Sequence, residues 1–260
     1  MHFELIFVLY LLLGVVSGLL GGLLGIGGGV VTVPVLYYMF RLTHTYESGP
    51  MQVAIATSLA IGFVISTVST LSQWKKGAIS LGILRWMALS LVIGCVAGAI
   101  LAHHMQSGIL SIIFAIMALL MGTYLCFPKL PSFQIARSPN RSLSFLSLFV
   151  GGLSSMIGIG GGSIVFPLLL AYRVRAHEAS ASASICTWIT TGIGSLTYLL
   201  IAPSEVIDLS AWAIIGISSA VVVPIGVKWA HTFKTSLIKQ ILGVSLLIIG
   251  LGMVGEKIFS

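Results

Sequence analysis

Gly25-Ile26-Gly27-Gly28-Gly29-Val30-Val31-Thr32-Val33-Pro34 returns later in the same chain as Gly158-Ile159-Gly160-Gly161-Gly162-Ser163-Ile164-Val165-Phe166-Pro167. The offset is 133 residues at both ends of the motif (158 − 25 and 167 − 34). Four glycines in five positions are costly in a helix, since each loses about 1 kcal/mol against alanine in a helix interior. Both copies sit inside apolar runs, so each is expected to break one helix into two pieces. Further along, the repeat continues at an offset of 126, with Ser58 matching Ser184 and Trp86 matching Trp212. The connection after the second motif is therefore shorter, and the chain reads as a duplicated unit.

The 260 residues around these motifs are 57% hydrophobic and only 7% charged. A soluble domain uses roughly a quarter charged residues to cover its surface. The apolar residues come in long runs rather than in helical stripes, which reads as lipid-facing or membrane-buried helix. The alternation that a transmembrane barrel needs is missing. Apolar segments fall at 5–24, 29–40, 51–73, 80–103, 108–127, 143–158, 162–172, 179–202, 209–230 and 236–254. Most approach the roughly 20 residues required to cross a bilayer. The segments at 29–40, 143–158 and 162–172 are shorter, and each adjoins a glycine cluster.

The formal net charge is +7. Its basic residues lie mainly between apolar runs, where topology and anionic lipid account for them, so no nucleic-acid partner is expected. Cys95, Cys126 and Cys186 lie within apolar runs at neither metal nor disulfide spacing, and read as small buried residues. The stretch from Leu5 to Val16 lacks a basic leader and a small-residue cleavage site, and it is kept as part of the fold.

The polar connector Lys129–Arg141 divides the chain. Residues 1–128 form a first membrane repeat, 129–142 a cytoplasmic linker and 143–260 a second repeat. Each half holds a glycine-broken helix pair followed by three longer helices. The broken pair returns the chain to its starting side, and three crossings carry it over. The halves therefore enter from opposite faces, giving an all-α integral membrane protein with two inverted-topology repeats. This arrangement puts Lys75, Lys76, Arg85, Lys129, Arg137, Arg141, Arg173, Arg175, Lys228, Lys234 and Lys239 on one side, and only Arg41 and Lys257 on the other. The positive-inside rule makes the first side cytoplasmic and both termini non-cytoplasmic.

Opened backbone inside a membrane is tolerated where it lines a polar cavity or binds something. The helix restarting after each cluster offers exposed N–H groups and a partial positive charge, which suits an anion. Two such ends meeting from opposite faces would make one anion centre without lysine or arginine. The candidate binding residues in the first repeat are Gly25, Gly27, Gly28, Gly29, Thr32, Pro34, Thr57 and Ser58. Those in the second are Gly158, Gly160, Gly161, Gly162, Ser163, Pro167, Ser182 and Ser184. The plainer reading of glycine, close helix packing, suits Gly14, Gly18 and Gly22, and also Gly94 and Gly98, each spaced four apart. The hydroxyls can equally serve helix–helix hydrogen bonding. Gln52 and Glu178 occupy matching repeat positions, Glu178 reading as an interfacial anchor or a proton-coupling group. His103 and His104 read as interfacial. No Lys-Ser/Thr follows the glycines, against a nucleotide loop. No metal or catalytic constellation is present at ligand spacing, so neither a metal, a cofactor nor an enzyme is expected.

The paired GxGGGxxxxP clusters, with Ala56-Thr57-Ser58 after the first, resemble the sulfite exporter TauE/SafE family of membrane permeases. The second half carries Ser182-Ala183-Ser184 in place of that Thr-Ser. The resemblance covers nearly the whole chain. It implies movement of sulfite, organosulfonates or related small anions across the plasma membrane, the inner membrane of a bacterial cell. The implied partners are a small-anion substrate and the lipid bilayer. Coupling to a proton or sodium ion, and homo-oligomerisation, stay open. The competing reading is a non-transporting membrane scaffold or assembly subunit.

Overall fold

The computed structural model describes residues 2–25, 27–46, 49–74, 81–126, 141–172, 174, 176–202, 207–229 and 235–259. Their secondary structure is helical throughout. The first half holds α1 (His2–Leu24), α2 (Gly29–Leu42), α3 (Pro50–Trp74), α4 (Leu81–His104) and α5 (Ser107–Cys126). The second holds α6 (Arg141–Ile157), α7 (Gly162–Ala171), α8 (Ala176–Ile201), α9 (Leu209–Trp229) and α10 (Thr235–Phe259). Helices α1, α3, α4, α5, α8 and α9 contain stretches long and apolar enough to cross a membrane. The chain is an all-helical multi-pass membrane protein. Its outer faces carry exposed Leu120, Ile217 and Leu251, as lipid contact requires. The short α2 and α7 lie where the sequence places short segments. The linker 129–142 lies almost wholly outside the described residues.

Packing repeats along with the sequence. Helix α1 packs on α9 as α6 packs on α4, α3 meets α9 as α8 meets α4, and α2 meets α3 as α7 meets α8. The pairs α3–α8 and α5–α10 map onto themselves when the halves are exchanged. Both of these run antiparallel. Along α3 and α8, Leu59 meets Gly194, Gly62 and Ser66 meet Thr191, and Gln73 meets Ser184. Along α5 and α10, Ala115 meets Gly250, Gly122 meets Gly243, and Cys126 meets Gln240.

Small residues let these backbones approach. Gly14, Gly18 and Gly22 of α1 face Ser218, Ser219 and Gly226 of α9. Gly94 and Gly98 of α4 face Leu148, Gly152 and Ser155 of α6. A Cβ on Gly18 would lie 2.7 Å from the Ser219 carbonyl oxygen. Without a hydrophobic drive between helices in lipid, dispersion at such short range holds the pairs together. The packing reading of these five glycines is correct. The free thiols of Cys95 and Cys186 are buried, that of Cys126 half-buried.

Candidate functional site

Each glycine cluster does interrupt its helix. The last backbone bond of α1 runs from Gly25 N–H to the Gly21 carbonyl (2.9 Å), and that of α6 from Gly158 N–H to the Ser154 carbonyl (2.9 Å). The chain then turns through left-handed glycines: Gly25, Gly27 and Gly28 at φ 69°, 78° and 73°, and Gly158 and Gly160 at 72° and 80°. Side chains with a Cβ rarely adopt that geometry, so the motif's composition follows from the shape of the elbow. Gly161, the counterpart of Gly28, is not left-handed, and here the repeats begin to differ.

The two elbows touch. A Cβ on Gly29 would overlap the Gly158 carbonyl oxygen and stand 2.9 Å from the Ile159 Cα. One on Gly162 would lie 2.8 Å from the Gly25 carbonyl oxygen. Both elbows are seated where α3 crosses α8: Gly62 faces the Gly27 carbonyl, and the Ser58 hydroxyl donates to the Gly158 carbonyl (3.0 Å). The surroundings are buried.

Their free amides are treated differently. Gly161 N–H donates to Thr190 Oγ1 (2.8 Å), and Gly162 N–H to Thr187 Oγ1 (2.9 Å). Thr190 donates onward to the Thr187 carbonyl (3.0 Å), and Thr187 to the Ala183 carbonyl (2.9 Å). The second elbow is thus capped from within. In the first repeat, positions 61 and 64 match Thr187 and Thr190 at the 126 offset, and they hold Ile61 and Val64. Gly28 and Gly29 N–H accordingly have no acceptor among the described residues. An amide stripped of water and left unpaired costs roughly 1–3 kcal/mol, so these two donors favour any ligand that can accept.

The other candidates separate into those at the elbows and those away from them. Thr32 donates to the Gly28 carbonyl (2.8 Å), and Ser163 to the Gly160 carbonyl (3.0 Å). Ser184 donates to the Ser180 carbonyl (3.1 Å) and lies beside Gly25. Pro34 and Pro167 lie inside α2 and α7, where lacking an N–H each leaves a first-turn carbonyl, of Val30 or Ser163, without its helical donor. Ser182 is buried, with no partner among the described residues. Thr57 is elsewhere: it accepts from Asp208 N–H (3.0 Å) at the head of α9. Gln52 ties the head of α3 to the Met105 carbonyl (2.6 Å), and Glu178 is half-buried in the first turn of α8. Thr187 and Thr190 are not among the sequence candidates, since they lie 25 and 29 residues beyond the glycines they cap. Their signal was the spacing Thr187-x-x-Thr190-Thr191 on one helical face.

The hydrogen-bonding groups engaged at the elbows are all uncharged. Among the described residues no group of three or more His, Cys, Asp or Glu side chains is placed to hold a metal ion. What remains is a pair of apposed helix starts in a buried setting, one capped and one whose first two amides have no acceptor among the described residues. That arrangement belongs with the comparison to known proteins, where the sulfite exporter TauE/SafE profile matches residues 10–253. The chain belongs to the TauE/SafE family. Relatives within reach of the family include a probable membrane transporter protein of Haemophilus influenzae, 30% identical over 242 positions, covering 91% of this chain and 86% of the relative. The probable membrane transporter protein YunE of Bacillus subtilis is 25% identical, covering 98% and 99%. The probable membrane transporter protein MJ0441 of Methanocaldococcus jannaschii is 27% identical, covering 78% and 76%. No solved structure is significantly similar. As a TauE/SafE member, the chain is a membrane transporter.

Proposed function

We propose that this transporter is a secondary carrier of a small anion (sulfite, an organosulfonate, or a related sulfur-containing or carboxylate anion) across the plasma membrane by alternating access. The observation that carries this reading is the contact between the two elbows, where Gly28 and Gly29 N–H have no acceptor among the described residues. A helix start contributes on the order of 0.3–2 kcal/mol to a nearby anion, and each amide bond to a charged oxygen adds roughly 1.5–3 kcal/mol. After desolvation that corresponds to affinity of about micromolar to millimolar. Weak binding suits a carrier, which must release its cargo.

The antiparallel courses of α3 with α8 and of α5 with α10 support an inverted repeat, with its two-fold axis in the membrane plane. In this reading the binding site stays near the axis while the halves rock about it, and the termini lie outside the cytoplasm. Proton or sodium coupling would be read from the ion dependence of uptake.

The test is a thermal-shift panel on detergent-purified protein with sulfite, thiosulfate, taurine, sulfoacetate and small carboxylates, followed by uptake into proteoliposomes. A ligand at 100 times its Kd should stabilise the fold by about 2.7 kcal/mol. Flat melting curves across the panel together with no anion flux would remove the proposal.

A further inference from the structure

The α3–α8 crossing is chemically lopsided. Toward the C-terminal end of α3, Gly62, Ser66, Ser69, Thr70 and Gln73 share an arc of about 100° at the helical turn per residue. Opposite them, Ser180, Ser184, Thr187 and Thr191 share an even narrower arc of α8. The two arcs face one another, with Ser66 and Thr191 hydroxyls 3.3 Å apart and Gln73 Nε2 donating to Ser184 Oγ at 2.5 Å. They run from the elbow contact, where Thr187 holds Gly162, to the end of α3.

Exchange of the halves maps these positions onto residues of another character. The α3 arc maps to Trp188, Gly192, Ser195, Leu196 and Leu199, and the α8 arc to Ala54, Ser58, Ile61 and Ile65. Trp188, Ser195, Leu196 and Leu199 line an apolar crevice of 770 Å³ instead. The polar ribbon is therefore not a by-product of duplication, since the other copy of the same surface lacks it.

A second observation points to a ligand within the ribbon. On α3, Ser66 and Ser72 bond back to carbonyls of their own helix, as membrane-helix serines commonly do. Ser69 does not. It is 2% exposed, and its hydroxyl has no partner among the described residues. The buried Thr70 hydroxyl likewise has none. Both flank the line on which Ser66 and Gln73 reach α8. Two desolvated hydroxyls left open side by side are costly unless water or a polar solute reaches them.

We infer that this hydroxyl ribbon is the access route between the elbow centre and one membrane face, closed in this conformation by the Gln73–Ser184 bond. It rests on the anion-carrier reading for its cargo, though not for its existence as a polar path. In sequence Lys75 and Lys76 follow α3, and Arg173 and Arg175 precede α8, so the ribbon ends on the face with the basic excess. That field would draw anions to it. By the positive-inside rule this face is cytoplasmic.

The test uses full-length protein with Cys126→Ala as background, in proteoliposomes whose sidedness is measured independently. Ser69→Cys and Thr70→Cys are probed with a membrane-impermeant thiol reagent from each side. Reaction is expected from the face bearing Lys75, and Gln73→Ala should speed it roughly two- to tenfold, the weight of one hydrogen bond. Ser195→Cys, at the matching point of the other repeat, should gain nothing from Gln73→Ala. Should the serine-to-cysteine variant at 69 misfold, the Thr70→Cys series carries the same comparison. Normal anion flux with neither cysteine reacting from that face would overturn the route while leaving transport intact. Equal acceleration at position 195 would also overturn it, because Gln73→Ala would then have loosened the whole crossing. Reaction from the expected face without any anion binding or flux would uphold the polar path and remove the carrier reading.

Discussion

Replacing Gly29 by alanine tests the elbow contact more directly than any other single change. Gly29 is the first residue of α2 and is not left-handed, so alanine brings no backbone strain there. The added methyl would overlap the Gly158 carbonyl oxygen and sit 2.9 Å from the Ile159 Cα and 3.1 Å from its carbonyl carbon. Every one of these neighbours is backbone, so no rotamer change relieves the overlap, and the elbows must separate. Overpacking of this kind costs about 1–3 kcal/mol, and rigid neighbours favour the upper half. For a chain of this size a cost of 1 kcal/mol lowers Tm by roughly 2–4 °C, so a fall of about 4–12 °C is expected, together with loss of anion uptake. Gly255→Ala is the internal control, because nothing among the described residues stands within 4 Å of its added methyl. There the helix preference of alanine should raise Tm slightly, by up to about 1 kcal/mol of stability. Thermal unfolding in detergent and flux in proteoliposomes read both variants. A Gly29→Ala protein with unchanged Tm and uptake would refute the claim that the elbows press together at the binding centre.

Thr187→Val and Thr190→Val keep side-chain shape but strip the caps from Gly162 and Gly161 N–H. Each should cost roughly 1–3 kcal/mol in thermal unfolding, whereas an equal exchange at exposed Thr123, which bonds only to its own helix, should be nearly silent. Asp208 accepts from Ser210 N–H (3.0 Å) and Ala211 N–H (2.9 Å) at the start of α9, so Asp208→Ala should cost about 0.5–2 kcal/mol. Gly94→Ala would press its methyl into backbone of α6, including Gly152 N at 3.0 Å. The same overpacking range applies, seen as a lower Tm and poorer yield of folded protein.

The elbows and the helices among the described residues were legible because their signals are backbone signals. Glycine clusters in apolar runs must break a helix, and the recurrence at a fixed offset made the duplication visible. The division of glycines into packing and elbow classes also followed from spacing: Gly18 and Gly94 lie on i, i+4 faces, Gly27 and Gly160 in clusters. The side chains serving the elbows were harder to see. Thr57 directly precedes Ser58, but the turn of about 100° per helical residue aims its hydroxyl at the head of α9, while that of Ser58 reaches the elbow. Thr187 lies 25 residues beyond Gly162, yet the return of α8 across α7 brings it within a hydrogen bond. Repeat matching selects what the halves share. It passes over Thr187, Thr190 and Thr70, which matter because their counterparts, Ile61, Val64 and Leu196, carry no hydroxyl.

That difference makes the first elbow separately testable. Ile61 and Val64 stand where Thr187 and Thr190 stand in the other half, and Gly29 and Gly28 correspond to Gly162 and Gly161. The double change Ile61→Thr and Val64→Thr should carry the second elbow's cap over to the first and occupy the amides that an anion would use. Burying a hydroxyl at Ile61, which is fully buried, loses apolar contact, while the new hydrogen bonds return part of it. Stability should therefore change less than ligand response. If two charge-assisted bonds of roughly 1.5–3 kcal/mol each are lost to the anion, its Kd should rise by a factor of about one hundred or more. The thermal shift produced by a stabilising anion would then shrink or vanish in a protein that still melts cooperatively. Thr187→Val should do the opposite, freeing Gly162 N–H and adding a donor. An anion response undiminished by the double threonine change would mean that the Gly28 and Gly29 amides are not its donors, and the binding centre would have to lie away from the elbows.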